Sequence, residues 1–303
     1  MSNSAAQRAQ RNVAPQSIPF APSGLLLLRK KPGLTSFEAL GEVKRALGTG
    51  KVGHTGTLDK FAEGLLVILT GRALKLSPWF SHCDKQYEGI IRFGVETDTL
   101  DPEGSPVAEA ALPSRETVEK ILPQFTGDIM QAPPVYSAIH INGKRASALA
   151  RSGEQVEMKM RPVHIYKLEL RSWEPPFARI FVHCSSGTYI RSLTRDIALA
   201  AGSRAHLTAL TRTKVAGFTL EEASDNAPSF LPRLIDASVF TALGLPWFEV
   251  EPQDAEKIMH GKPLPWVPDD SSASTSAGIF SGDSFIAMIE KNGGKWKYGC
   301  VYA

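Results

Sequence analysis

Cysteine is scarce in this chain: Cys83, Cys184 and Cys300 are the three among 303 residues, and no two form a CxxC pair. That argues against a disulfide framework or a cysteine zinc site and fits a reducing compartment, so a cytoplasmic location is expected. Long apolar runs are also missing. The longest candidates, "GLLLL" and "GLLVILTG", suit buried strands, and no stretch of about 18 apolar residues exists to span a membrane. Residues 1–23 lack the apolar segment of a secretory signal. Their Ser, Gln, Pro and Ala, with two arginines and no acid, predict a disordered tail, an organelle transit peptide being the other reading.

The usual cofactor signatures are absent too. There is no GxxxxGK[ST], no GxGxxG after a strand, and no HExxH among the seven histidines. "CSSGTYIR" superficially matches a tyrosine-phosphatase loop, but Cys184 and Arg191 enclose six residues where that loop has five. No nucleotide cofactor and no metal is therefore expected.

What is present describes a soluble globular protein, 43% apolar, long enough for one large domain and a small one. The formal charge of +3 permits a nucleic-acid partner without demanding one. "GLLLLRKKPG" reads as a strand closed by a Pro32-Gly33 turn. "SFEALGEVKRALG" reads as a helix, with Ser36 as N-cap, Phe37, Leu40, Val43 and Leu47 on one face, and Gly48 as its stop. "GLLVILTG" is a buried strand. "KQYEGIIRFGVETDT" alternates, placing Tyr87, Ile91, Phe93 and Val95 on one side. "PSRETVEKILPQFTG" is a helix with Val118, Ile121, Leu122 and Phe125 inward. "RIFVHCSSG" is a strand running into the helix "TYIRSLTRDIALAAG", with Ile190, Leu193, Ile197 and Ala201 on one side and Gly202 as stop.

Antiparallel-looking strands mixed irregularly with helices predict an α+β fold, a mixed and largely antiparallel sheet flanked by helices around a cleft. Prolines near 230–246 predict a boundary. The organisation expected is a tail over 1–23, a main domain over 24–240 and a small all-β module over 241–303.

Asp59 stands in "GHTGTLD", a tight glycine- and threonine-rich turn that either caps itself or presents a carboxylate to a cleft. Tyr87 and Tyr189 read equally as core residues with satisfied hydroxyls, Arg191 as a solvated helix arginine, and His54 as a turn histidine. The basic residues cluster around these turns: Arg29, Lys30, Lys31, Lys44, Arg45 and Lys51; Lys144, Arg145, Arg151, Lys159 and Arg161; Arg195, Arg204, Arg212 and Lys214. Acids concentrate elsewhere, as in "ETDTLDPEG". Such clusters are either solvated faces or a groove for a polyanion.

Taken in order from about Gly24 to Phe218, "GHTGTLD", "AEGLLVILTGRALKL", "KQYEGIIRFGVETDTLDPEG", "QAPPVYSAIHINGKRASALARSGEQV", "CSSGTYIRSLTRDIA" and "LTRTKVAGF" resemble the TruB-type tRNA pseudouridine synthases. From "GLPWFEVEP" onward the chain is similar to their small PUA-like RNA-binding module. The resemblance implies isomerisation of uridine to pseudouridine at position 55 of the tRNA T-loop, with no cofactor. It implies Asp59 as nucleophile, Arg191 as its ion-pair partner, and Tyr87 as a base-stacking and catalytic residue. It further implies Tyr189 and Leu210 around the uracil, and His54 filling the gap that the flipped base leaves. Lys30, Lys31, Lys144 and Arg151 are the phosphate contacts expected. The partner implied is the T-stem-loop of tRNA, bound by a monomer with no guide RNA, protein partner or membrane. The chain departs from the family in one place: Lys60 stands where proline usually follows the aspartate.

Overall fold

A computed structural model describes residues 22–302 apart from 142, 153, 155, 226–229 and 265–273. The expected tail up to residue 21 and the Ser-rich stretch up to residue 273 lie outside the described residues. Pro22 and Ser23, placed in the tail by sequence, are tied to the sheet: Thr70 Oγ1 donates to the Pro22 carbonyl at 2.6 Å, and Arg72 N to Ser23 Oγ at 2.9 Å.

The first half of the chain runs β1 (Gly24–Lys30), α1 (Ser36–Leu47), β2 (Val52–His54), β3 (Glu63–Thr70), α2 (Ser77–Ser81), β4 (Lys85–Phe93), β5 (Val95–Thr97), β6 (Pro106–Glu109), α3 (Arg115–Ile121) and β7 (Gly127–Gln131). There follow β8 (His140–Ile141), β9 (Lys144–Arg145), α4 (Ala146–Arg151), β10 (Arg161–Glu174), β11 (Phe177–Cys184), α5 (Ile190–Ala200), β12 (Ala205–Val215) and β13 (Phe218–Thr219). The C-terminal part holds α6 (Ala237–Leu243), β14 (Trp247–Glu249), α7 (Pro252–Met259), β15 (Ser276–Ser281), β16 (Ser284–Asn292) and β17 (Lys295–Val301).

The central sheet has the order β1-β3-β12-β4-β11-β10-β7, antiparallel except where β12 meets β3. This is the mixed, largely antiparallel sheet expected. That one parallel pairing needs a bare backbone at Gly64: its φ is +107°, and a Cβ there would lie 2.4 Å from the Arg212 carbonyl oxygen. On one face of the sheet, Ile91, Phe93, Ile180 and Val182 pack under Leu193 and Ile197 of α5 and Val118 and Ile121 of α3. At the β1–β3 end, Leu26, Leu28, Leu66 and Ile68 are covered by Leu40, Val43 and Leu47 of α1.

Local details differ from the sequence reading for physical reasons. The N-cap of α1 is Thr35, not Ser36. Thr35 Oγ1 accepts from Glu38 N at 3.1 Å while the Glu38 carboxylate accepts from Thr35 N at 2.8 Å, a reciprocal capping box. Phe37, expected inside, is 72% exposed with Lys44 Nζ 5.0 Å from its ring centroid, because Ser36 and Ala39 take the inward face. Val95 leaves the face of Tyr87, since the chain swings at Gly94 (φ +94°) into the separate β5–β6 ribbon. The helix of residues 115–125 tightens to a 3₁₀ turn at Leu122–Phe125, where Pro123 interrupts it.

The C-terminal strands form a four-stranded sheet, order β14-β15-β16-β17. Helix α7, not singled out by sequence, buries Ala255 and Ile258 on it. The expected boundary at 240/241 falls inside α6. There Phe240 lies 5.1 Å from Phe280 and 5.2 Å from Phe285, in a core shared with Leu25, Leu65 and Val67 of the main sheet. Each such aromatic removed from water contributes about 2–3 kcal/mol, so the small sheet is fastened to the large one.

Candidate active site

The turn carrying Asp59 connects β2 to β3 and is pinned almost atom by atom. Leu58 is buried; its N–H donates to Ser36 Oγ at 2.8 Å and its carbonyl accepts from the same hydroxyl at 3.0 Å. Arg212, from β12, spreads its guanidinium over three carbonyls: Nε to Leu65 at 2.8 Å, Nη2 to Gly56 at 3.0 Å and Nη1 to Thr57 at 3.4 Å. On the exit side Lys30 Nζ donates to the carbonyls of Ala62 (2.5 Å), Lys31 (3.1 Å) and Lys60 (3.4 Å). A planar fork and a point cation thus replace the regular hydrogen bonds that a turn of this shape lacks.

Arg191, in the first turn of α5, completes the cluster. Its Nη2 donates to Asp59 Oδ1 at 2.8 Å and to the Tyr136 carbonyl at 3.2 Å; its Nη1 donates to Asp101 Oδ2 and the Thr99 carbonyl at 3.0 and 2.8 Å. The arginine is 4% exposed, Asp101 6% and Asp59 35%, so of the three only the Asp59 carboxylate is open to a ligand. Asp101 is fixed in turn, accepting from Thr99 Oγ1 at 2.6 Å and from Glu103 N at 3.0 Å. Leu100 before it adopts φ +61°, a conformation uncommon for a side chain of its kind.

Burial pushes the Asp59 carboxyl above its ordinary value, Arg191 pulls it back, and Asp101 pushes it up again. Tyr87 is buried, its phenol raised by burial and opposed by the charge of Arg212. A cavity of about 290 Å³ opens here, lined by Asp59, Tyr87, Tyr189, Arg191, Leu210 and Arg212 among others. The Tyr189 amide is held by Gln131 Oε1 at 2.8 Å, and burial raises its phenol as well. A second cavity of about 450 Å³ shares Asp59 and Arg191 with the first and is walled by Lys60, Glu103, Arg145 and Arg151.

Among the residues singled out from sequence, Asp59, Tyr87, Tyr189, Arg191 and Leu210 converge on one cavity. His54 is on β2 outside the residues lining it, partly buried, with burial and Arg212 lowering its pKa. Lys31, Lys144 and Arg151 are exposed. Lys30 is a correction: at 1% exposure, with its ammonium spent on backbone carbonyls, it holds the Asp59 turn and cannot meet a phosphate.

Sequence reasoning missed Asp101, Gln131, Lys85 and the specific role of Arg212. Asp101 lies in the acidic "ETDTLDPEG" run, read as separate from the basic clusters, yet it bonds an arginine 90 positions away. Lys85 opens β4 two residues before Tyr87; it is buried in the cavity wall, donating to the carbonyls of Ser81 at 2.8 Å and of Cys83.

Residues 44–190 match the family model described as TruB family pseudouridylate synthase (N terminal domain). The tRNA pseudouridine synthase B of Treponema denticola is 48% identical over 227 residues, 68% of this chain and 61% of that protein's length. The protein of that name from Borreliella burgdorferi is 41% identical over 239 residues, 78% of this chain and 83% of its own. A crystal structure of a Cbf5-Nop10-Gar1 complex contains a chain with TM-score 0.71 and 22% identity, covering 92% of this chain and 85% of that one, which shows a shared fold. Five sequence-flagged residues around one cavity, a mixed sheet of matching fold and relatives alike over most of their length lead to one statement: the chain belongs to the TruB family of pseudouridylate synthases.

Proposed function

We propose that the chain converts uridine to pseudouridine in tRNA, at position 55 of the T-loop, as a stand-alone monomer with Asp59 as the reacting carboxylate. The observation that carries this reading is the Asp59 carboxylate: 35% exposed into the cavity and held at 2.8 Å by a buried guanidinium.

The reaction breaks N1–C1′, turns the uracil, joins C5 to C1′ and moves the C5 proton to N1, so it needs no redox partner. Asp59 acts at the ribose, as nucleophile on C1′ or as base on a neighbouring proton. Either role requires the ionised form, which burial opposes and Arg191 favours. The base must leave its stack, which costs a few kcal/mol. Tyr87 supplies a stacking face, and Tyr189 and Leu210 close the walls. Burial favours the neutral phenol of Tyr87, so it serves first as that platform; only as a phenolate, the form that the Arg212 charge favours, could it take the C5 proton. Lys31, Lys144 and Arg151 are exposed cations for the RNA backbone, and the C-terminal sheet, PUA-like by resemblance, adds RNA-binding surface.

The test is tritium release from a T-loop transcript carrying 5-tritiated uridine, with no guide RNA added. Release by wild type, lost in Asp59→Asn while the RNA still binds, supports the reading. Binding without release by either protein would leave an RNA-binding protein in this fold. A requirement for a guide RNA would remove the stand-alone claim.

A further inference from the structure

Lys60 follows Asp59 directly, at a position where the resembled family usually carries proline, and its side chain has no part in holding the turn. Its carbonyl does that work, accepting from Gly33 N at 2.8 Å and from Lys30 Nζ at 3.4 Å. The ammonium instead reaches across the second cavity to Glu103 Oε1 at 3.2 Å, with the two side chains 51% and 44% exposed. Such an exposed pair is weakly held and easily exchanged for a better anion. Around the same cavity stand Arg145 and Arg151, both exposed, with no ion pair among the described residues.

Asp59 and Arg191 line both cavities, so the two spaces meet at the reacting carboxylate. A nucleotide whose base fills the smaller one must present C1′ at Asp59, and its sugar-phosphate chain then leaves through the larger one. That path passes Lys60, Arg145 and Arg151, all of which line the larger cavity. We infer that Lys60 is a substrate-phosphate ligand held in reserve by Glu103: on RNA binding its ammonium leaves Glu103 for a backbone phosphate of the flipped nucleotide. The inference rests on the proposed function for the identity of the RNA, and its test reads binding, so the two can fail separately.

The experiment measures Kd for a T-arm transcript across a salt series with wild type, Lys60→Met, Lys60→Arg, Glu103→Gln and the Lys60→Met/Glu103→Gln double variant. Because the structural bonds of residue 60 are backbone bonds, these side-chain changes leave the turn in place, and a thermal melt of each checks it. Lys60→Met is expected to weaken binding about fivefold and to shrink the slope of log K against log salt by roughly 0.7–0.9, the signature of one phosphate no longer neutralised. Lys60→Arg keeps both values near wild type, and Glu103→Gln binds more tightly because the lysine is released. The double variant decides the matter. If it stays weak with the shallow slope, Lys60 takes a phosphate. If its Kd and slope return to wild type, Lys60 merely neutralised Glu103 and the inference is overturned, as it is by an unchanged slope in Lys60→Met. Tritium release run in parallel reports on the proposed function independently.

Discussion

Arg191 and Asp59 stand 132 residues apart in sequence and 2.8 Å apart in space, and the arginine is buried while the aspartate keeps one side open. The pair is therefore asymmetric: a fixed cation presenting an anion to a cavity. Four consequences can be measured.

Asp59→Asn keeps an oxygen for Arg191 to bond and removes the charge. Turnover should fall by about a thousandfold or more, with RNA affinity retained. The melting temperature should not fall. Burial raises the folded-state pKa of Asp59, so any stabilisation from this group exists below its unfolded pKa and is lost as pH rises through the folded one. Once ionised, the carboxylate is a cost to the fold. A clear loss of thermal stability in this variant would contradict that assignment.

Asp101→Asn tests the second carboxylate on the same guanidinium. The charge of Asp101 raises the pKa of Asp59, so its removal lowers it, and the acid limb of the pH–rate profile should move to lower pH. Turnover should also drop about tenfold to a hundredfold, because Arg191 is less firmly aimed. A merely structural role would leave the acid limb where it was.

Arg212→Met removes the fork that holds Gly56, Thr57 and Leu65. Leaving those buried carbonyls unpaired should cost about 2–4 kcal/mol in a denaturant titration. Arg212→Lys should restore little of it, since an ammonium cannot span three carbonyls set out for a planar guanidinium. Full recovery with lysine would show that charge alone matters there.

Lys30 is buried enough to bring its ammonium down to about 8. The unfolded chain holds that proton up to about 10.4, so between these values the unfolded state binds more protons and stability rises with pH. Wild type should therefore gain on Lys30→Met between pH 8 and 10, by at most about 3 kcal/mol. The denaturation midpoints of both proteins at several pH values give the difference, and a flat or falling difference would count against a charged, buried Lys30.

Much of this was legible in the chain itself. The period-two pattern of "KQYEGIIRF" put Tyr87 on the inner face of β4, and the turn motif ahead of "GLLVILTG" drew attention to Asp59. Those are local signals, set by which side chains a strand alternates and which residues a tight turn tolerates. Where local rules competed, tertiary contacts shifted the outcome by a position or a face. Thr35 took the cap because Ser36 was needed to bond Leu58, and Phe37 went outward because Ser36 and Ala39 went in.

The elements, the mixed sheet and the turn that carries Asp59 follow from the order of residues along the chain, because periodicity and turn chemistry are set by neighbours. Which charges meet was settled only by packing. Lys30 and Lys31 are adjacent and chemically alike, yet one is sealed under the Asp59 turn and the other faces water. Asp101, in a run of acids set apart along the chain from the basic clusters, became the second partner of Arg191. The strength of a charge pair depends on distance and burial, and both are fixed when strands and loops from distant parts of the chain pack together, which no short window of sequence encodes.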